Sequence, residues 1–370
     1  MRAAGMGPLL WCKGHISLQL MQSSCRLARK VAGHNELEMN ILNTLRIPRR
    51  RVLGAAGAAL LPALPSCGWL QDLPVAVAAH VWVGYEPLFM AQGRGWLDAA
   101  KVTLRETRSM VDSIAALQAG TVQAAALTLD EVLRARATGL ALSAVLVFNV
   151  SMGADMLLVR SGITQLAQLK GLRIGYEASS VAEVMLAECL AAAGLTRQDV
   201  ELQHISVNAQ VQAWQQRAVD ALISYEPVAS QLLGQGMTRL FDSRQIPNTI
   251  VDVLAVRPDT LNHAHAKALR HLIAAHFRAL DDLTRNPQDA AYRMAGHLNL
   301  SAAGVLSAFK GLMLPTVSNN HRLLNASPPE LLSTARRVAD ILLRIGILTQ
   351  RDALTDLAQG AYLPGEGLTQ

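Results

Sequence analysis

Three of the five tyrosines in this 370-residue chain are followed directly by glutamate: Tyr85-Glu86, Tyr176-Glu177 and Tyr225-Glu226. A tyrosine face beside a carboxylate suits a cationic or amine-bearing ligand, because the ring quadrupole and the carboxylate both attract positive charge. Other polar residues stand at similar places. Thr128-Leu129-Asp130-Glu131 closes an apolar run, and Asp155 follows a polar break at Ser151-Met152-Gly153. Ser109 with Asp112 reads as a capping box, and Ser179 and Ser180 suit an N-cap. Trp82 precedes the first Tyr-Glu pair, and Asp252 lies inside a late apolar run. The candidate ligand-binding set is therefore Trp82, Tyr85, Glu86, Ser109, Thr128, Asp130, Asp155, Tyr176, Glu177, Ser179, Ser180, Tyr225, Glu226 and Asp252. Each glutamate also has a structural reading, in which it satisfies helix-terminal amides or pairs with an arginine. The threefold repeat of Tyr-Glu favours a site. Bare helix N-termini at the same edge would instead suit an anion.

Signals for catalysis are poor. There is no Gly-x-Ser-x-Gly elbow, phosphate loop or His-Glu-x-x-His. His263, His265, His271 and His276 read as a solvated helix surface, since an i,i+2 pair cannot share one helix face. No Cys/His cluster has zinc spacing. The expectation is a binder and not an enzyme, with no cofactor and no metal.

The elements that must hold these residues alternate. Apolar strand-like runs occupy Leu73–Trp82, Val102–Arg105, Val122–Thr128, Leu140–Val150, Leu172–Tyr176, Glu201–Ile205, Val219–Ser224 and Ile250–Val256. Helical patterns fall between most of them: Val111–Ala119, Glu131–Ala137, Val181–Ala193, Ala209–Arg217 and Pro227–Leu233. This is the pattern of α/β folds with parallel sheets covered by helices. All three Tyr-Glu pairs stand where a strand ends and a helix begins, and in open α/β sheets that edge lines the ligand crevice. After Arg257 helices dominate, at Asn262–Arg285, Pro287–Leu298, Ala302–Met313, Pro328–Gly346 and Gln350–Gln359. The segment 117–128 can be laid over 214–225, and Gly139 then matches Gly236, which suggests two similar α/β units.

Composition narrows the class. At 51% hydrophobic and 17% charged, the chain has ample core and is not disordered. No apolar run reaches the ~18 residues of a membrane span. The net charge of +6 hints at an acidic partner such as nucleic acid, but residues 1–66 hold nine basic residues and two acids. The remainder is at −1, so no nucleic-acid partner is expected. Arg49-Arg50-Arg51, the uncharged stretch Val52 to Leu64, and Leu64-Pro65-Ser66-Cys67 form an export leader over 1–66. The ending resembles a bacterial lipobox, with Cys67 as the lipidated first residue of the mature protein. Arg50-Arg51-Val52-Leu53 resembles a twin-arginine signal weakly, and Met39 is an alternative start to Met1. The mature chain is expected at a periplasmic or cell-surface membrane face, held by its lipid anchor. Cys189, in an Ala/Leu-rich helix, reads as a small buried hydrophobe.

The segment Trp82-Val-Gly-Tyr-Glu-Pro-Leu-Phe-Met-Ala-Gln-Gly-Arg-Gly-Trp96 resembles the opening of ABC-transporter solute-binding proteins of the nitrate/sulfonate/taurine group, of SsuA/THI5-like kind. Leu117–Ala125 with Asp130-Glu131, Leu166–Gly175, Val219–Pro227 and Phe241-Asp-Ser resemble later signatures of that family. The resemblance implies a two-lobed periplasmic-binding-protein fold of type II. Each lobe would be a mostly parallel sheet flanked by helices, with a helical C-terminus. It places lobe 1 at 67–156 plus 252–370 and lobe 2 at 157–251. It implies a monomer that captures a small-molecule ligand between lobes and passes it to an ABC permease and ATPase. The acids make an amine or cationic heterocycle more attractive than a sulfonate or nitrate-type anion. An exported enzyme and a ligand-sensing lipoprotein on the same fold are the alternatives.

Overall fold

The computed structural model describes residues 72–365. The leader over 1–66 and Cys67 lie outside the described residues. Val75–His80 (β1) is apolar up to its last residue, His80, and almost wholly buried, as a strand covered on both faces must be. A helix, Glu86–Gly93 (α1), follows with Pro87 in its first turn, where its missing N–H costs nothing. The alternation continues through Val102–Thr107 (β2), Met110–Gln118 (α2), Ala124–Thr128 (β3), Leu129–Ala137 (α3) and Ser143–Ser151 (β4). The chain then crosses to a second sheet. Asp155–Val159 (β5), Arg173–Tyr176 (β6), Ser180–Ala193 (α4), Glu201–His204 (β7), Val207–Gln215 (α5), Ala221–Tyr225 (β8), Val228–Gly234 (α6) and Thr238–Asp242 (β9) complete it. Val251–Val256 (β10) returns to the first sheet. The helices His263–Arg285 (α7), Pro287–Leu298 (α8) and Ala302–Phe309 (α9), the short strand Leu312–Met313 (β11), then Val317–Asn325 (α10) and Glu330–Arg344 (α11) follow.

The first sheet has the order β11-β4-β10-β3-β1-β2 and the second β7-β6-β8-β5-β9. Both are mixed, which corrects the expectation of mostly parallel sheets. β1 pairs in parallel with β2 and β3, but β10 runs antiparallel to β3 and β4, and β11 antiparallel to β4. In the second sheet β6 is parallel to β7 and β8, whereas β5 is antiparallel to β8 and β9. The reason is the crossing. β5 and β10 are the strands that arrive from the other sheet, and each inserts between two strands that already point the opposite way.

Other departures have local causes. The helix expected to run to Met313 stops at Phe309, because Leu312 and Met313 pair with β4. Gly311 there approaches the Ala154 backbone so closely that a Cβ would lie 2.9 Å from its nitrogen. Gln350–Gln359 is not helical. The Arg136 guanidinium holds Asp352 at 2.5 and 3.0 Å, and Leu357 and Gln359 spend backbone groups on Ala144 of β4. His276 is fully buried against Phe148 and Phe277, unlike the solvated histidine expected of that helix. Burial pushes its imidazole down to about 3. Cys189 is buried in α4 with no disulfide partner among the described residues.

Candidate functional site

Polar side chains gather at one edge of each sheet because parallel strands end there and the inserted antiparallel strands begin there. β1 ends at His80, and the turn after it carries Trp82 and Tyr85. β3 ends at Thr128, and α3 starts at once with Asp130 and Glu131 in its first turn. Asp252, second in β10, sits opposite Thr128 on one side and Asn149 on the other. In the second sheet Asp155 opens β5 opposite Tyr225, the last residue of β8.

Several of these residues meet at a small pocket of about 20 Å³, lined by His80, Trp82, Met110, Thr128, Asp155, Val181, Tyr225, Ile250 and Asp252. Its rings meet edge to face. Trp82 and Tyr225 stand 5.6 Å apart, His80 and Tyr85 5.3 Å, and His80 and Tyr225 6.4 Å. Tyr85 donates its hydroxyl hydrogen to Asp252 Oδ1. The other oxygen of Asp252 and Asp155 Oδ2 are buried with no hydrogen-bond partner among the described residues. Burial, and then the Asp155 and Asp130 charges, push the Asp252 carboxyl well above the usual carboxylate range, against the pull of the Tyr85 bond and of the nearby Trp82 N–H. Burial lifts Asp155 to about 7. Among the described residues no lysine or arginine lines the cavity, and burial pushes His80 down to about 4. Negative charge in the cavity is therefore uncompensated, which is costly in a desolvated place.

A second contact joins the two sheets next to the cavity. Asp130 accepts from Ser180 Oγ at 2.6 Å, and Glu131 accepts from the Ser180 backbone N–H at 2.7 Å. Two carboxylates of α3 thus sit on the N-terminus of α4, the place where a free anion would otherwise bind. Burial and the neighbouring Glu131 push Asp130 up to about 7.

The family model described as NMT1/THI5 like matches residues 82–290, more than half of the chain. The chain belongs to the NMT1/THI5-like family. No curated protein sequence matches it. Among solved structures it resembles the alkanesulfonate-binding protein SsuA of Xanthomonas axonopodis pv. citri bound to MOPS, with a TM-score of 0.65 at 18% identity. That match covers 78% of this chain and 99% of the other. The periplasmic nitrate-binding protein NrtA of Synechocystis PCC 6803 gives a TM-score of 0.60 at 13% identity, covering 77% and 84%. The desulfurization enzyme DszB gives 0.57 at 20% identity, covering 78% and 97%. At these identities the matches establish the fold: two mixed sheets flanked by helices, as in periplasmic binding proteins.

Within this NMT1/THI5-like chain the fourteen residues singled out from sequence separate. Trp82, Thr128, Asp155, Tyr225 and Asp252 line the cavity, Tyr85 braces Asp252, and Asp130 and Ser180 form the contact between sheets. Glu177 sits beside them, accepting from Tyr225 Oη at 3.4 Å. Ser109 caps α2 through the Asp112 N–H, and Ser179 caps α4 through the Ala182 N–H. Glu86, Tyr176 and Glu226 do not converge on the cavity. Glu86 turns to His297 Nδ1 at 2.6 Å, beneath a separate surface pocket lined also by Phe89 and Arg293. Tyr176 takes a bond from Arg197 and packs on the His204 ring. Glu226 accepts from the Ser230 hydroxyl and N–H. Glu86 begins α1, Tyr176 ends β6 and Glu226 lies in the turn before α6, and each is claimed by a different neighbour, so the Tyr-Glu repeat in sequence does not repeat in space. His80, Met110, Val181 and Ile250 were missed. His80 alone carried a signal, as the polar end of an apolar strand.

Proposed function

We propose that the chain is the extracytoplasmic solute-binding component of an ABC importer. It captures a small solute bearing an amine or a cationic heterocycle between its two lobes and delivers it to a membrane permease driven by an ATPase. In this reading lobe 1 is 67–154 plus 251–370 and lobe 2 is 155–250, a shift of one or two residues from the bounds expected from sequence, because β5 begins at Asp155 and β10 at Val251. The protein acts as a monomer, anchored at a periplasmic or cell-surface membrane through a lipid on Cys67. The ligand contacts are Trp82, Thr128, Asp155, Tyr225 and Asp252, with His80 added and Tyr85 and Asp130 behind them.

The observation that carries this reading is the pair of buried carboxyls with unpartnered oxygens, Asp155 and Asp252, in a ring-walled cavity lined by no lysine or arginine. A cation supplies the missing charge, and the tyrosine and tryptophan faces hold it. SsuA and NrtA are named for sulfonate and nitrate. An anion here would face Asp155 and Asp252, and the α4 N-terminus that could receive it is already covered by Asp130 and Glu131. Thermal-shift screening against amines, pyrimidines and sulfonates tests the proposal. Stabilisation by amines that is lost in Asp252→Asn supports it, and stabilisation by sulfonates alone refutes the cationic ligand.

A further inference from the structure

The small pocket is richer in acceptors than in donors. Asp155 Oδ2 and Asp252 Oδ2 are buried with no hydrogen-bond partner among the described residues, and a carboxylate can accept about four hydrogen bonds in all. Thr128, the last residue of β3, faces Asp252 across the strand pair and lines the same pocket. Its hydroxyl gives its hydrogen to Met110 Sδ at 3.5 Å, which leaves the oxygen lone pairs to accept. The donors nearby are turned to carboxyls. Tyr85 Oη donates to Asp252 Oδ1, the Trp82 N–H lies near the same carboxyl, and Tyr225 Oη donates to Glu177. Acceptor residues from three strands, β3, β5 and β10, thus meet around a space of about 20 Å³, which is room for about one water-sized group. Met110, Val181 and Ile250 make an apolar side to the same wall.

We infer that the pocket recognises a primary ammonium head group and rejects methylated ammoniums and cationic rings. The inference rests on the cationic reading proposed above and narrows it to one kind of head. A primary ammonium carries three N–H donors and no acceptor, one donor for each of Asp155, Asp252 and Thr128, and it is close to water in size. The carbon that bears it lies against the apolar side of the wall. Hydrogen bonds from a cation to a carboxylate are roughly twice as strong as neutral ones. Each N-methyl group replaces a donor by a carbon that must be seated in the same space. A quaternary ammonium has no hydrogen to give, and the buried oxygens stay unmade at a cost. Attraction to the rings alone would not discriminate in this way, because aromatic faces also bind quaternary ammoniums. Thr128 is then a specificity residue. It is neutral and adds no charge attraction, so its service to the ligand is to accept the third N–H.

Calorimetry on the full chain with methylamine, dimethylamine, trimethylamine and tetramethylammonium tests this, all four being cations at neutral pH. Affinity should fall about tenfold with each added methyl, since one charged hydrogen bond is lost at every step. Thr128→Val keeps the shape and removes the oxygen. It should weaken methylamine about tenfold and leave dimethylamine, whose two N–H groups suffice for Asp155 and Asp252, within about twofold. Thr128→Ser keeps the oxygen and should keep the preference for methylamine. If Thr128→Val does not fold, Thr128→Ala reads the same difference. Tetramethylammonium bound as tightly as methylamine overturns the inference and leaves the cationic reading standing. So does a Thr128→Val protein that still prefers methylamine to dimethylamine by the full factor, because the third acceptor would then be idle. Failure of all four cations to bind takes down the cationic reading and this inference with it.

Discussion

Replacing Asp155 by asparagine should stabilise the ligand-free protein at pH 8 and leave it unchanged at pH 4. The Asp155 carboxyl is lifted from 3.8 to about 7, first by burial and then by the Glu226 charge, with a Ser151 bond opposing. At about 1.4 kcal/mol per pH unit, that displacement corresponds to about 4 kcal/mol of cost once the group is ionised in the fold. The folded state keeps the proton between pH 4 and 7, where the unfolded chain has released it, so stability falls as pH rises through that window. Asparagine keeps the shape and does not titrate. The variant should therefore exceed the parent by about 2–4 kcal/mol at pH 8, with the gap closing by pH 4. Asp130 adds a similar slope to both proteins and cancels from the comparison. Guanidinium unfolding followed by tryptophan fluorescence at pH 4, 6 and 8 measures it. The same variant should lose affinity for cationic probes, the trade expected where a site is held in a costly state for its ligand. A variant less stable than the parent at pH 8, or a gap independent of pH, refutes the reasoning, because either result means that Asp155 is ionised and satisfied in the empty protein.

Three further outcomes can be checked. Ser180→Ala removes the 2.6 Å bond to Asp130 and should cost about 1–3 kcal/mol in denaturant, with a larger radius of gyration by small-angle scattering as the sheets part; an unchanged radius would mean that the contact does not hold them together. Gly84→Ala drives a methyl into Asn149 and Trp82 and should cost about 1–3 kcal/mol along with ligand affinity, read by calorimetry. His297, raised to about 9 by its bonds to Glu86 and Glu106, should stabilise the fold fully below pH 6.5 and progressively less as pH rises through 9. His297→Gln should flatten that limb of the pH–stability curve, and an unaltered limb would remove His297 as its source.

The strands that position the cavity were legible because they are apolar on both faces: β1, β3, β4, β8 and β10 all announce themselves as short continuous runs. β9 did not, since Thr238 and Arg239 are exposed at an edge, and the run lacks the buried residues that mark an inner strand. The helix over Val317–Asn325 carries few apolar residues and was not among the expected helices, though Asn320 is buried there to bond the β4 backbone. For the site, sequence found Trp82, Asp155, Tyr225 and Asp252 because they sit at strand boundaries. It could not foresee that Glu86 would leave for His297 on α8, 211 residues away, nor that Tyr176 would be taken by Arg197. Long-range partners decide where a side chain at a helix start points, and spacing along the chain does not record them.

The register at the two crossings has a practical consequence. Where the chain leaves the first sheet and where it rejoins, Val150 and Val251 are already strand partners. On the far side, Met156 and Asp242 are likewise paired. Each gap left by cutting both crossings is therefore one that a tight turn can close. A loop of a few residues from β4 directly into β10 would leave the six-stranded sheet hydrogen-bonded as it stands. The excised segment from β5 to β9 would start and finish on adjacent strands, so that it could be expressed by itself, or rejoined head to tail with its ends moved elsewhere.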